Sequence, residues 1–133
     1  ILKINNISTM RHFKKHWALY AGLSILYLIS IVIIYKILKN NDGHFVYVVD
    51  DAYIHMAMAK NFALHGVWGM DKYSFASSTS SPLWTLLLAV VYWIFGVNIF
   101  APLILNVIFA SLTLIVIYSL LNKGVWLSIY KPS

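Results

Sequence analysis

Two adjacent carboxylates, Asp50 and Asp51, are the residues of this sequence best suited to acid–base chemistry. They share a polar segment, residues 40–81, with the other two acidic residues, Asp42 and Asp71. A carboxylate placed beside a hydroxyl group can take its proton as that oxygen attacks a substrate. Keeping two carboxylates together beside apolar material costs free energy, which favours a functional reason for the pair. Helix capping explains their position equally well, because Asp is a preferred residue at helix N-termini.

His55 follows Asp51 by four residues and falls on the same face of a predicted helix. An aspartate and a histidine at this spacing can bind a divalent metal or pass a proton. A histidine at a membrane surface is more often an amphipathic residue without a ligand. His55 is therefore a weak candidate for a metal ligand, and a divalent metal stays possible without being required.

A run of hydroxyl-bearing residues, Ser77–Ser81, leads directly to Pro82. Proline favours the first position of a helix, and Ser81 suits the N-cap before it. The start of such a helix offers free backbone N–H groups to a phosphate. A flexible loop followed by a capped helix explains the same residues. The sequence contains no Walker-type glycine loop and no zinc motif of the His-Glu-x-x-His type.

The composition indicates an integral membrane protein. Of the 133 residues, 61% are hydrophobic and only 11% are charged, with a mean hydropathy of +0.77, whereas soluble domains carry about 25% charged residues. No charged residue occurs between Lys72 and Lys123. Cysteine is absent, which excludes disulfides and thiolate metal sites. No basic patch interleaved with aromatic residues suggests a nucleic-acid partner.

Hydropathy and helix signals predict an all-α membrane fold with about three transmembrane helices and an external loop carrying an amphipathic interfacial helix. Within that loop, Phe45–Val49 is a short β-prone run, and Gly66 suits the end of the interfacial helix. The second and third spans should form a hairpin. The predicted segments are a basic N-terminus (1–16), a first span (17–37), the loop (38–80) with its helix (about 51–65), a second span (81–96), a third span (99–121) and a tail (122–133) that looks truncated.

Basic residues predict the orientation, because Lys and Arg are enriched in cytoplasmic flanks. The flank before the first span has four basic residues and no acid, whereas all four acids lie in the 38–80 loop. We expect a cytoplasmic N-terminus and an external loop, periplasmic in a bacterial inner membrane. The four basic residues are Lys3, Arg11, Lys14 and Lys15.

Four short motifs in order resemble one family of membrane enzymes. They are Asp50-Asp51-Ala52-Tyr53-Ile54, Ala59-Lys60-Asn61, Gly66-Val67-Trp68-Gly69 and Ser80-Ser81-Pro82-Leu83-Trp84. Their order and membrane context resemble the first span and first external loop of GT-C-type glycosyltransferases, over about residues 17–121. The nearest branch in pattern contains the dolichyl- or polyprenyl-phosphate-mannose mannosyltransferases and the arabinosyltransferases. Lys60 stands where that pattern has Arg, and Thr79-Ser80-Ser81-Pro82 is a looser form of its Thr-Ser-Pro motif.

The resemblance implies an inverting sugar transfer from a polyprenyl-phosphate donor to an acceptor hydroxyl during cell-envelope synthesis. Asp50 would be the catalytic base. Asp51 would hold Asp50, bind the acceptor or join a metal site. The residues implied in binding the donor are Lys60, Lys72, Thr79, Ser80 and Ser81.

The resemblance also implies a larger enzyme than this chain, because members of the family commonly have eight or more spans. We therefore expect an N-terminal portion that needs the remainder of the enzyme as a partner, and that is inactive when isolated. The alternative is a small non-enzymatic membrane subunit or assembly protein. In that alternative, Asp50-Asp51 only caps an interfacial helix.

Overall fold

The computed structural model describes the backbone of residues 2–122 and the side chains of residues 16–121. Four helices make up this part of the chain: α1 (Leu2–Asn40), α2 (Asp50–His65), α3 (Pro82–Phe95) and α4 (Ala101–Asn122). The described residues contain no strand, so the β-prone run before α2 is irregular backbone. Apart from Asn122, the predicted tail lies outside the described residues.

Two of the helices are long and apolar enough to cross a membrane. These stretches are His16–Asn40, with 25 residues, and Ala101–Leu121, with 21 residues. Helix α3 has 14 residues and reaches about 21 Å, which is shorter than a hydrocarbon core of about 30 Å. The all-helical class is as predicted, and the lengths support two crossing helices where about three were expected.

Helix α1 begins well before the predicted first span, because the basic N-terminal segment is itself helical. The two parts of α1 meet at His16, whose backbone departs from helical geometry with φ −114° and ψ 15°. The bend therefore falls one residue before Trp17, where the uncharged stretch begins.

Among the described residues, the first of two compact units comprises residues 2–33 and 107–122. In it, His16 Nδ1 lies 2.8 Å from the hydroxyl of Tyr118. Eleven residues later along α1, the Tyr27 hydroxyl lies 3.0 Å from Ser111 Oγ. Residue numbers rise along α1 as they fall along α4, so the two helices are antiparallel.

The second unit, residues 34–106, contains α2 and α3 side by side and running in the same direction. His55 pairs with Thr85 near the starts of the two helices. A groove of about 350 Å³ between Phe62 of α2 and Trp93 of α3 marks their ends. A buried apolar cluster lies between these points and is formed by Ala59, Leu88, Ala89, Tyr92 and Ala101.

The ends of α2 and α3 follow from local sequence. Gly66 ends α2 in the left-handed conformation, with φ 68°, and its N–H donates to the Phe62 carbonyl. This agrees with the predicted C-terminus. Pro82 occupies the first turn of α3 after Ser81 as N-cap, although the Ser81 side chain makes no capping hydrogen bond. Gly96 ends α3 with φ 84°.

Two tyrosines of the second unit differ in whether their hydroxyls have hydrogen-bond partners. The Tyr47 hydroxyl donates to the Ile99 carbonyl at 2.8 Å and accepts the Leu103 N–H at 3.2 Å. The Tyr92 hydroxyl is buried and has no hydrogen-bond partner within the described residues. An unpaired buried hydroxyl is a cost, whereas a paired one stabilises the fold.

We expect Tyr47→Phe to lower the free energy of unfolding by about 1–2 kcal/mol, because it leaves the Ile99 and Leu103 backbone groups without a partner. Tyr92→Phe removes only an unpaired hydroxyl and should leave stability unchanged or raise it slightly. Denaturant unfolding of the detergent-solubilised variants measures both. A larger loss for Tyr92→Phe than for Tyr47→Phe would contradict this assignment.

Candidate functional site

The two adjacent carboxylates occupy the first turn of α2 without capping it through their side chains. The N-cap residue is Val49, in an extended conformation with φ −114° and ψ 131°, and no side chain makes a capping hydrogen bond. Asp50 and Asp51 are the first two residues of the helix. Their charges suit the positive end of the helix dipole. Capping hydrogen bonds therefore do not account for the pair.

Asp51 is held by side chains from two parts of the chain. Its Oδ2 lies 3.3 Å from Nε2 of His55, one turn along α2. Ser80, from the hydroxyl-rich segment before α3, donates to Oδ2 at 3.3 Å and to Oδ1 at 3.4 Å. The Asp51 carboxylate thus joins the start of α2 to the segment that enters α3.

His55 is buried, with 5% of its surface exposed, and its second ring nitrogen contacts two threonines. Nδ1 lies 2.8 Å from Thr85 Oγ1 and 2.9 Å from Thr79 Oγ1. The two hydroxyl oxygens are 2.8 Å apart. We call this set the polar clasp; it consists of Asp51, His55, Thr79, Ser80 and Thr85.

Hydrogen bonds within the polar clasp satisfy its buried members. When Nε2 carries the proton toward Asp51, Nδ1 accepts from a threonine hydroxyl. The single proton of the Thr85 hydroxyl can go either to His55 Nδ1 or to the Ser81 carbonyl, 3.1 Å away. The Ser81 N–H donates to Thr79 Oγ1 at 3.2 Å. Such fully paired networks fix the relative positions of the elements that carry them.

The hydrogen bonds of the clasp also bear on the metal expected weakly at His55. Both ring nitrogens of His55 already contact protein atoms. Across the described residues, no group of three or more His, Cys, Asp or Glu side chains is placed to hold a metal ion. The contacts therefore give His55 a structural partner set.

A second set of contacts fixes the chain just before Asp50. The rings of Phe100 and Phe45 are 5.0 Å apart, those of Phe45 and Tyr47 are 5.1 Å apart, and those of Tyr47 and Tyr53 are 5.9 Å apart. The Tyr47 N–H donates to the Tyr53 hydroxyl at 2.9 Å. We call these four rings the aromatic ladder. It holds the segment before Asp50 against the first turns of α2 and the start of α4.

Asp50 lies between the polar clasp and the aromatic ladder and differs from its neighbour. It is solvent-exposed, and within the described part of the chain no hydrogen bond or ion pair engages its carboxylate. The backbone around it is fixed on both sides while its side chain stays available. A free carboxylate on a fixed turn can accept a proton from a bound molecule.

The structure brings together some of the predicted site residues and leaves out two. Thr79, Ser80 and Ser81 meet Asp51 and His55 beside Asp50. Lys60 is exposed on α2, ten residues beyond Asp50 and about 15 Å further along the helix axis. Lys72 lies on a separate loop, with its Nζ 5.1 Å above the Tyr73 ring. Neither lysine contacts the polar clasp.

The loop that carries Lys72 is built around Asp71. The Asp71 carboxylate accepts the backbone N–H groups of Tyr73 at 2.8 Å and Ser74 at 3.0 Å. These hydrogen bonds hold the pKa of Asp71 below its usual value. The stabilisation is present above the ordinary aspartate pKa and is lost as the pH falls through the lowered value. Asp71 thus has a structural role.

Sequence reasoning missed Thr85, Tyr47 and Phe100 as parts of the site. Thr85 carries a signal that was available, since it is the only hydroxyl between Leu83 and Val91 in an apolar helix. A hydroxyl at such a position must find a partner. Tyr47 and Phe100 carry no comparable signal, because an aromatic residue beside a membrane is ordinary.

Replacing Thr85 with valine should destabilise the second unit while keeping the shape of the side chain. The change removes one partner of His55 Nδ1 and leaves a buried polar network incomplete, at a cost of about 1–3 kcal/mol. The matched control is Thr113→Val, because the exposed Thr113 hydroxyl bonds only to the Phe109 carbonyl of its own helix. Denaturant unfolding compares the two, and an equal effect would contradict the role of the polar clasp.

Comparisons with known proteins found no match for this chain. No family model matches the chain, and no curated protein or solved structure matches it.

Proposed function

We propose that this chain forms the N-terminal part of an inverting membrane glycosyltransferase. In this proposal, the enzyme moves a sugar from a polyprenyl-phosphate donor to an acceptor hydroxyl on the external face of a membrane. Asp50 acts as the general base. The sequence motifs supply the reaction class, and the geometry around Asp50 supports the role of that residue.

The observation that carries the proposal is the inequality of the two carboxylates. Asp51 is bound by His55 and Ser80, whereas Asp50 is exposed on a turn that is fixed from two sides. A residue that only supports structure is expected to have partners, as Asp51 does. A residue that must meet a substrate is expected to be positioned without them.

With Asp50 as the base, the bonds formed, the bonds broken and the proton are all accounted for. The acceptor oxygen forms a bond to the anomeric carbon as its proton moves to the Asp50 carboxylate. The bond from that carbon to the phosphate oxygen breaks, and its electron pair leaves with the polyprenyl phosphate. Attack from the face opposite the phosphate inverts the anomeric carbon.

The leaving phosphate requires partners that stabilise its charge. The exposed hydroxyl segment that includes Ser80 contacts Asp51, the residue next to Asp50, and could supply such donors. Lys60 and Lys72 lie outside this cluster, so their part in donor binding depends on other segments of the enzyme. The remainder of the enzyme is the partner that the proposal requires.

The proposed location is an integral membrane protein with its N-terminus in the cytoplasm. Helices α1 and α4 are long enough to cross, and the basic flank before α1 favours the cytoplasmic side. The loop with Asp50 then faces outward, which is the periplasm in a bacterial inner membrane. A polyprenyl-phosphate sugar with its headgroup on that face would meet Asp50 at the membrane surface.

The rival function is a non-enzymatic subunit or assembly protein whose acidic pair only caps α2. That interpretation predicts a capping hydrogen bond from Asp50 or Asp51. The N-cap is Val49, and no side-chain cap bond is present. The geometry therefore argues against side-chain capping as the reason for the acidic pair.

We expect Asp50→Asn to lower sugar transfer by at least about 100-fold, because general base catalysis typically contributes that much or more. Membrane insertion should stay unchanged and thermal stability should fall only slightly, since the Asp50 side chain makes no described contact and interacts only with the dipole at the start of α2. The measurement is transfer of radiolabelled mannose or arabinose from its polyprenyl phosphate to membrane acceptors, with the full-length protein in its membrane.

Two further variants serve as controls for this assay. Asp42→Asn changes an exposed carboxylate of the same segment, at a positive φ of 50° that asparagine tolerates, and should keep full transfer. Asp51→Asn should lower both stability and transfer, because it weakens the polar clasp. Near-normal transfer by Asp50→Asn would exclude Asp50 as the base.

A further inference from the structure

The loop that follows α2, residues 68–76, is closed by contacts within its own backbone. The Ala76 N–H donates to the Trp68 carbonyl at 2.9 Å and joins the two ends of the loop. Inside the loop, a Cβ atom at Gly69 would clash with the Ser74 carbonyl oxygen. Glycine permits this close approach of two backbone segments, so the sequence fixes the path of the loop.

Two contacts hold the 68–76 loop against α2. The side chain of Asn61, which is 9% exposed, donates through Nδ2 to the Gly69 carbonyl at 3.0 Å. The rings of Phe62 and Trp68 meet edge to face, with their centroids 5.4 Å apart. Because Asn61 is buried, loss of its hydrogen bond would leave a polar group unpaired. The loop and the second half of α2 therefore keep a fixed relative position.

This fixed loop presents two aromatic side chains to its surroundings. Tyr73 is 82% exposed, and Phe75 is 75% exposed. Asp71 sets the backbone that carries them, because its carboxylate accepts the N–H groups of Tyr73 and Ser74. Keeping apolar rings in contact with water has a free-energy cost. Exposed rings on a pre-organised backbone are typical of a binding surface.

Hydrogen-bonding groups lie beside the two rings. The backbone of the loop engages Oδ1 of Asp71, whereas Oδ2 has, among the described residues, only a contact of 3.5 Å with Ser74 Oγ. Lys72 Nζ lies 5.1 Å from the centre of the Tyr73 ring. One hydroxyl of a ligand can therefore donate to Asp71 Oδ2 while another accepts from Lys72.

We propose that the 68–76 loop is a carbohydrate-binding surface. A sugar ring carries C–H groups on one face and hydroxyl groups at its edge. The C–H groups pack on the electron-rich face of Tyr73 or Phe75, and the hydroxyls at the edge bond to Asp71 and Lys72. Ligand sites commonly combine aromatic rings with a few placed polar groups in this way.

The chemistry of the loop favours a sugar over a lipid surface or a protein. Membrane-surface anchors pair aromatic residues with basic ones, whereas here a carboxylate, Asp71, directly precedes Lys72. Hydrogen bonds from the backbone hold the pKa of Asp71 below its usual value, so it is negatively charged at neutral pH. A stable protein interface buries about 800 Å² on each partner, and two rings of about 150–250 Å² each supply less.

The bound sugar would belong to the acceptor of the transfer reaction, and this part of the inference rests on the proposed function. Asn61, which anchors the loop, lies eleven residues after Asp50, or about 16 Å along α2. From Tyr73, seven residues lead to Ser80, which contacts Asp51, so Tyr73 lies within about 25 Å of that contact. An acceptor that reaches both places has several sugar units. The acceptor is then itself a glycan.

Direct binding tests the loop without any transfer reaction. The full-length protein in lipid nanodiscs is titrated with free oligosaccharides of mannose, arabinose, galactose, glucose and N-acetylglucosamine, and saturation-transfer NMR measures the dissociation constants. At least one sugar should bind. Tyr73→Ala and Phe75→Ala should each weaken its binding by about three- to tenfold, as expected for one aromatic contact. The matched control is Val48→Ala, which truncates a 90% exposed side chain of the same polar segment and should not change binding.

A further variant alters the loop and keeps its rings. Gly69→Ala leaves the side chains of Asp71, Lys72, Tyr73 and Phe75 in place but forces Ser74 to move. It should therefore weaken binding of the same sugar to a similar extent. If none of the sugars binds, or if Tyr73→Ala binds as tightly as Val48→Ala, the proposal is wrong.

The same variants separate this inference from the proposed function. In the transfer assay, Tyr73→Ala should raise the KM for the acceptor more than it changes kcat, whereas Asp50→Asn should lower kcat and keep sugar binding. Transfer that needs Asp50, without sugar binding at the loop, would overturn the inference alone. Sugar binding at the loop without transfer would overturn the proposed function alone. A fluorophore at Tyr73→Cys that is quenched by spin-labelled acyl chains in sugar-free vesicles would show that the loop enters the bilayer, and would also overturn the inference.

Discussion

The hydrogen bond between His55 Nδ1 and Thr85 Oγ1, 2.8 Å long and buried, is the contact on which the second unit depends. It is a polar interaction between helices that otherwise meet through alanine, leucine and tyrosine. Apolar packing tolerates a shift of one helix along another, whereas a buried polar pair penalises every register that separates its members. The polar clasp as a whole therefore penalises a shift of α2 along α3, with the hydroxyl segment and Asp51 on either side of His55.

The sequence predicted well those features that depend on local chemistry. Gly66 ends α2 because a left-handed residue is needed there, and Pro82 opens α3 because its φ suits a first turn. The grouping of Ser80 with Asp51 was suggested only by the family resemblance, because 29 residues separate them. The role of Thr85 could not be predicted from the pattern of its own helix, because its partner lies on another helix.

The number of crossings was the least predictable feature for a physical reason. Hydropathy measures how apolar a segment is, and an apolar helix lowers its free energy equally well across the bilayer or along its surface when one face is covered by protein. The direction of a span is a property of pairs of helices. It follows here from contacts between residues more than 80 positions apart, which no window of sequence contains.

Contacts with distant residues also distinguish the two aspartates, which are adjacent in the sequence. The Asp51 carboxylate is hydrogen-bonded to a histidine and a serine in place of water. Moving it toward a substrate would break those bonds. Asp50, the preceding residue, lies on the same fixed backbone, and its carboxylate makes none of these hydrogen bonds. The turn that begins α2 thus holds one acid in place and leaves the other free to exchange a proton. In the proposed function this division requires both residues, because a single aspartate cannot support the turn and meet a substrate with the same oxygens.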